Sequence, residues 1–474
     1  MAEMVKASRI FSQDQFDRFA ELSGDFNPIH VDPTTARRLI FGTAICHGVG
    51  LVLWALDELA KTVDRPIRLL SLKAVFRRPV PANQKVDLEF ERSNAASAEF
   101  VLRSRGSLCA NLTVGWEDRP DDSPLSLPRI GDRVGPVDVD RATLEGHSGK
   151  IGLYLDPKLL ATLAPTAARH FPLGQMALLL ATTRLVGMIC PGLNSIYNVM
   201  DLDFAKGDAD VASLAYRVKS YVPRFSRLSI GVESRGVTGE LLTSFRPVAQ
   251  PQASYDRLKT LVAPGQFAGQ NALIVGGSRG LGELVAKLVA AGGGNVTVTY
   301  KLGKADAETV ASELTAQGHN ARVRFFDIER QEPGALVDVS GRPFSQVYCF
   351  ASPRILLDDR DAFDLALFEA YCRYYVSGLD SLIRSVAERG EKPPSVFYPS
   401  TAFLDRPVPG SLEYCAAKAA GEAVMRMFAE MGRIRAVIRR LPPLATDQTA
   451  SLLGTLGAEG ADAMLEAVVA MNAA

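Results

Sequence analysis

The chain predicts an α+β N-terminal half, in which one layout of helix and antiparallel strands occurs twice, followed by an α/β C-terminal half. Three observations carry this. An apolar helical run from Val49 to Leu59 is followed by period-two stretches such as Val86-Asp87-Leu88-Glu89-Phe90. The same order returns between about Val137 and Val248. Beyond it, the buried-strand run Asn271-Ala272-Leu273-Ile274-Val275 leads directly into a glycine-rich turn and an apolar helix, the order of a parallel sheet.

Length and charge bound the rest. At 474 residues the prior favours two to four domains, and 47% hydrophobic content is ordinary for a globular chain. Lys plus Arg equals Asp plus Glu at 53 each, so nothing attracts nucleic acid or an anionic membrane, and neither is expected as a partner. No stretch approaches the roughly 20 apolar residues of a membrane span, and the start Met1-Ala2-Glu3-Met4-Val5-Lys6 has no signal-peptide core, so a cytoplasmic protein is expected. Six cysteines (Cys46, Cys109, Cys190, Cys349, Cys372, Cys415) show no C-x-x-C spacing, which reads as reduced, mostly buried thiols and no metal site.

In chain order, the first element is a helix near Phe16 to Leu22, followed by the loop Asp25-Phe26-Asn27-Pro28-Ile29-His30 and, seventeen positions after His30, His47-Gly48 at the start of the long apolar helix. Adding water to an α,β-unsaturated thioester, or removing it, needs a carboxylate and an imidazole flanking one water, so that both transferred protons have a carrier. Asp25 and His30 supply the pair. The enolate oxygen that develops needs a backbone N–H, best placed where a helix begins, and Gly48 leaves its amide unshielded. The plainer alternative is that Gly24, Asn27 and Pro28 make a turn in which Asp25 is a cap. His47 reads as structural.

The run from Phe19 to Gly48 resembles the MaoC-like, R-specific enoyl-thioester hydratase family of hot-dog folds, over about the first 130 residues. The resemblance implies that Asp25 and His30 activate the water and that the Gly48 amide polarises the thioester. It also implies a double hot-dog, with one catalytic half and one that shapes an acyl tunnel. The second half offers Asp156 with Ala161 five positions on, and Leu173-Gly174 where His47-Gly48 would be, so it is expected to be inert; His170 is a weak replacement base. Its apolar helix is expected from Gly174 to Met188, followed by a Pro191-Gly192 turn.

Two seams lack periodicity: Glu117 to Pro124, and Pro247 to Gly265, where no regular element is expected. They place domains at 1–128, 129–250 and 266–474. After the second seam comes Gly276-Gly277-Ser278-Arg279-Gly280-Leu281-Gly282, whose glycines at 276, 280 and 282 let the backbone turn, approach a pyrophosphate and pack on the strand. Such turns also arise for steric reasons alone. Downstream, Tyr414-Cys415-Ala416-Ala417-Lys418 sets a phenol and an ammonium one helical turn apart, where the charge is expected to lower the tyrosine pKa. Thr401 lies thirteen residues upstream and Ser400 fourteen; either hydroxyl could hold a substrate oxygen.

From about Phe267 to Leu453 these residues resemble the short-chain dehydrogenase/reductase family, which implies a Rossmann-type domain. By that resemblance Gly276, Ser278, Arg279, Gly280, Leu281 and Gly282, with Ala351, form the cofactor loop region, and Asp327 contacts adenine. Tyr414, Lys418 and Thr401 or Ser400 are the catalytic groups. Arg440-Leu441-Pro442-Pro443 with Thr446 looks like the loop covering the nicotinamide. Two departures stand out: Cys349-Phe350-Ala351-Ser352 replaces Asn-Asn-Ala-Gly, and a residue near Tyr375 replaces the relay asparagine. Lys301, Lys304 and Arg279, with no acid at the end of the second strand, favour NADP(H) over NAD(H). The expectation is a bifunctional enzyme of acyl-thioester metabolism, a hydratase-dehydratase plus a 3-oxoacyl-thioester reductase. Its substrate is expected on coenzyme A or acyl-carrier protein, and a homo-oligomer is expected from resemblance alone.

Overall fold

The computed structural model describes residues 4–94, 96–119, 127–128, 133–204, 213–249, 251–330, 336–355, 362–388, 392–451, 454–455 and 457–473. Residues 120–124 of the first expected seam, the boundary residue 129, Gln250 and Leu453 lie outside them. The chain divides into two compact units, Met1–Val248 with 451–453, and Ala249–Ala450 with Gly454–Ala474.

The first unit is built on ten strands: β1 (Met4–Ile10), β2 (Ile67–Phe76), β3 (Lys85–Asn94), β4 (Ser97–Ser104), β5 (Ser107–Asp118), β6 (Ser148–Gly152), β7 (Ser195–Phe204), β8 (Ser213–Val222), β9 (Arg227–Ser234) and β10 (Val237–Phe245). They form one sheet in the order β1-β3-β4-β5-β2-β7-β10-β9-β8-β6. Read inward from either edge, each half has the same order, first, third, fourth, fifth, second, so the sequence repeat is a structural repeat. The halves join where β2 pairs antiparallel with β7 from Ser71↔Asp203 to Val75↔Val199. At that seam Lys73 and Asp201 face each other directly and bond at 2.6 Å. Both are half-exposed, so the pair contributes register more than stability.

Period-two alternation decides which face is covered. In β4, Ala98, Phe100, Leu102 and Ser104 point inward while Glu99 and Arg103 point to water. The two central helices, Gly48–Val63 and Leu173–Arg184, lie against this face and bury residues on nearly every side. The second continues as a π-helical turn, Leu185–Ile189, before Pro191. One continuous apolar core spans both repeats.

The second unit carries β11 (Asn271–Val275), β12 (Asn295–Tyr300), β13 (Ala321–Phe325), β14 (Gln346–Cys349), β15 (Ser395–Thr401) and β16 (Arg435–Leu441). All pair in parallel, in the order β13-β12-β11-β14-β15-β16. This is the 3-2-1-4-5-6 order of the doubly wound dinucleotide fold, with the strand order reversing between β11 and β14. Separate apolar clusters cover the two faces, so β14 is buried along its whole length. The expected featureless stretch from Pro247 to Gly265 instead contains a helical turn, Tyr255–Leu258. Ser254 caps it, and Tyr255 and Leu258 are buried against the unit, so local breakers were outweighed by packing.

Candidate active sites

In the first unit, the helix Gln13–Ser23 starts on a Ser12–Gln15 capping box and ends at Gly24, whose φ of 76° turns the chain inward. Asp25 follows and is 1% exposed. Its Oδ1 accepts from the Asn27 backbone N–H at 3.2 Å, and its Oδ2 accepts from the Thr183 hydroxyl at 2.7 Å. Asn27 caps the short helix Pro28–Val31, so the turn reading holds for Asn27 and describes half of what Asp25 does. The Asn27 amide nitrogen also donates into the second repeat, 2.8 Å from the Gly187 carbonyl oxygen.

His30 Nδ1 lies 2.8 Å from the Ile45 carbonyl oxygen. A carbonyl only accepts, so Nδ1 carries the proton and Nε2 of the neutral ring is bare. His47 Nε2–H donates to the Asp25 carbonyl oxygen at 3.0 Å. Its ring stacks on His30 with centroids 3.7 Å apart, and its Nδ1 is buried without a partner among the described residues. One donor atom each from Asp25, His30 and His47 lies within 4.8 Å of the others. A single water making hydrogen bonds of about 2.8 Å reaches across such a gap. The same three residues have the spacing to hold a metal ion, although His30 Nδ1 and His47 Nε2 are committed to carbonyls.

Burial sets the electrostatics. It raises the Asp25 carboxyl above its ordinary value, against the opposing pull of His30, Thr183 and the Asn27 amide. It lowers His30, with Asp25 opposing, and it holds His47 well below the usual imidazole range. Gly48 opens the first central helix, where its N–H has no intrahelical acceptor. A Cβ there would sit 2.9 Å from the Phe76 ring, so the position requires glycine for space.

Among its described residues, the second repeat has no counterpart of this dyad. Asp156 caps the helix Pro157–Leu163 through the Lys158 and Leu159 amides, Ala161 is exposed, and His170 ends the short helix Ala167–His170. It nevertheless supplies Thr183 and Gly187 beside Asp25, and 1%-exposed Arg246, which donates to the Leu193 carbonyl and to Asn27. Sequence reasoning missed all three. The available signal for Thr183 was Thr182-Thr183 directly after the apolar run Met176–Ala181 of the same helix. A small cavity of about 20 Å³, walled by Phe16, Phe19, Leu53 and Trp54 with Arg9 and Gln15, adjoins His47 and Gly50.

In the second unit, Gly276 follows β11 with φ 82° and donates its N–H to Thr299 Oγ1 at 3.1 Å. A Cβ at 276 would lie 2.7 Å from the Ala351 nitrogen, and one at 282 would lie 2.4 Å from the Gly276 oxygen. Gly280, at φ 62°, opens the helix Gly280–Ala291. Each glycine thus has a steric reason, and together they leave a backbone cradle at a helix N-terminus at the strand-order reversal, which fits a pyrophosphate. Ser278 is buried in this loop, and Leu281 packs into the core behind it. Each of the three expected 2′-phosphate cations has an acidic neighbour: Arg279 has Asp447 at 3.1 Å, and Lys301 has Asp327 at 2.9 Å and Glu329. Lys304 lies 3.6 Å from Glu308. The acids beside Arg279 and Lys301 come from distant segments, whereas Glu308 is one helical turn from Lys304.

Tyr414 and Lys418 share the helix Leu412–Glu430. Lys418 does not lower the Tyr414 pKa as expected. Its Nζ donates to the Pro399 carbonyl oxygen at 2.7 Å and lies 3.9 Å from the Tyr375 ring centroid, 4.8 Å from that of Tyr398 and 5.9 Å from that of Tyr414. Burial pulls Lys418 down to about 7 and pushes the Tyr414 phenol up, and the Thr401 hydroxyl is what opposes the latter rise. Ser400 is occupied, donating to Glu422 at 2.6 Å, so Thr401 is the hydroxyl that faces Tyr414. The two sequence departures meet: Tyr375, in the π-helical turn Arg373–Ser377, bonds Ser352 Oγ at 2.5 Å, and Ser352 donates on to the Pro353 carbonyl at 2.8 Å. Arg440, in the expected nicotinamide loop, pairs with Glu422 and Asp405.

Comparison with known proteins places a MaoC like domain at residues 3–102 and a short chain dehydrogenase domain at residues 270–342, in that order. A curated relative, the mitochondrial 3-hydroxyacyl-[acyl-carrier-protein] dehydratase of Arabidopsis thaliana, is 35% identical over 49 residues, 10% of this chain and 30% of that protein. The match therefore spans about a third of the relative's length. Among solved structures, a 3-oxoacyl (acyl-carrier-protein) reductase from Agrobacterium tumefaciens with NADP bound is similar at 18% identity and TM-score 0.39, over 45% of this chain and 90% of that one. A short chain dehydrogenase from Burkholderia cenocepacia in complex with NADP is similar at 19% identity and TM-score 0.38, over 44% and 91%.

Proposed function

We propose that the chain is a bifunctional acyl-thioester enzyme: its first unit interconverts (R)-3-hydroxyacyl and enoyl thioesters, and its second reduces 3-oxoacyl thioesters with NADP(H). The observation that carries the first activity is the Asp25–His30 pair, whose donor atoms lie within 4.8 Å, close enough for one water to bridge, with Gly48 opening the helix directly after His47. In hydration, the bare Nε2 of His30 takes a proton from the water as its oxygen adds to C3, and Asp25, its carboxyl raised by burial, delivers a proton to C2. The Gly48 N–H accommodates the charge gathering on the thioester oxygen. Dehydration runs the same path in reverse.

In the second unit, the Gly276–Gly282 loop and Ala351 would hold the dinucleotide, which when bound supplies the hydride. Tyr414 donates a proton to the substrate oxygen and Thr401 orients it, while the Tyr375–Ser352 hydroxyl chain stands where the relay asparagine is missing. Coenzyme A or acyl-carrier protein would bear the acyl group. No helix among the described residues is long and apolar enough to cross a membrane, and we place the enzyme in the cytoplasm, as a homo-oligomer.

Crotonyl-thioester hydration, followed by loss of enone absorbance, tests the first site. NADPH oxidation with acetoacetyl thioester tests the second. Asp25→Asn should abolish hydration alone and Tyr414→Phe reduction alone; any other division contradicts the assignment. One observation favours a second reading, in which the second unit binds nucleotide without turnover: Lys418 Nζ lies nearer the rings of Tyr375 and Tyr398 than that of Tyr414. Under that reading NADPH binds but is never oxidised.

A further inference from the structure

Thr182 and Thr183 are neighbours on the second central helix, and their hydroxyls do different things. Thr182 donates back to the Leu179 carbonyl at 2.7 Å, the usual fate of a buried helical hydroxyl. Thr183, 4% exposed, gives up that bond and reaches Asp25 Oδ2 at 2.7 Å, across 158 residues of sequence. One turn later the π-helical turn presents Gly187, where a Cβ would lie 2.2 Å from Asp25 Oδ1. We propose that the second repeat is a working part of the hydratase centre, with Thr183 as the positioning residue that orients the Asp25 carboxyl and Gly187 as the gap that admits it.

The inference rests on the hydratase reading of Asp25 and His30. With Thr183 on Oδ2 and the Asn27 amide on Oδ1, the carboxyl plane is held from two sides, so the proton-carrying oxygen keeps one orientation toward C2. The charged and titratable groups around it are His30 on its own loop, His47 bonded to its carbonyl, Arg184 on the second helix, and Arg246 near His30. Of the hydroxyl groups, Thr183 opposes the rise that burial imposes on Asp25, so removing it should move the Asp25 titration further upward.

The test compares Thr183→Val, which keeps the shape and loses the donor, with Thr183→Ser, which keeps the donor, in the full-length chain. Thr183→Val should lower kcat for crotonyl-thioester hydration about ten- to a hundredfold, the scale of one hydrogen bond to an ionisable group, with KM little changed. Its pH profile should move upward, and Thr183→Ser should recover most of both. Gly187→Ala should lose activity while the fold, read by circular dichroism, persists. A Thr183→Val enzyme with wild-type kcat and pH profile, or a serine variant no better than valine, overturns the proposal. In parallel, ¹³C-carboxyl NMR of Asp25 reads the contact without turnover. If the wild type hydrates nothing, the hydratase reading fails, and an Asp25 titration unmoved by Thr183→Val then overturns this inference separately.

Discussion

His30 and His47 stack face to face at 3.7 Å with their planes 25° apart, each with one nitrogen committed to a backbone carbonyl on the opposite side of the site. The stack fixes the direction of the bare His30 Nε2 and ties the first central helix to the Asp25 loop.

His47→Phe would keep the stack and lose the bond to the Asp25 carbonyl. Leaving that buried carbonyl unsatisfied should cost about 1–3 kcal/mol in urea unfolding. Because burial lowers His47 well below 6.5, the unfolded chain takes up a proton near that pH that the folded chain does not. Wild-type stability should therefore fall as pH drops below about 6.5, and His47→Phe should flatten that slope.

Gly48→Ala would bring its methyl to 2.9–3.0 Å from the Phe76 ring. Overpacking of this kind should cost about 1–3 kcal/mol and displace the helix N-terminus, with a fall in hydration rate. Adding Phe76→Leu should recover stability. Equal instability of the single and double variants in thermal melts would contradict the contact.

Lys418 provides a test of the second unit. Its folded pKa is drawn down to about 7 from 10.5, so between those values the unfolded chain holds a proton that the folded chain has lost. Stability should rise as pH climbs through that window. Lys418→Met should remove the slope and raise the unfolding midpoint at neutral pH, measured by denaturant titration across pH.

Glu329 competes for the cation on which a 2′-phosphate would bind, since it pairs with Lys301 and accepts from Arg373 at 3.1 Å. Glu329→Gln should tighten NADPH about tenfold, roughly one charge-assisted hydrogen bond, and leave NADH unchanged. Nucleotide fluorescence titration measures both.

The candidate groups of both halves could be located in the chain because they are local. Asp25, His30 and Gly48 fall within 24 consecutive residues, and the glycines at 276, 280 and 282 lie on one turn, so backbone rules that act over a few positions place them. The repeat was readable too, since alternation and helical periodicity are properties of short windows. Packing decided the rest. Thr183 and Arg246 meet the signature loop across 158 and 219 residues, Glu329 and Asp327 reach Lys301 from another strand's end, and Lys418 turned from Tyr414 to the ring of Tyr375. Each of those outcomes depends on which side chains share a buried volume, where an unpaired charge or hydroxyl is costly enough to choose its partner, and that choice is made between segments that carry no local mark of one another.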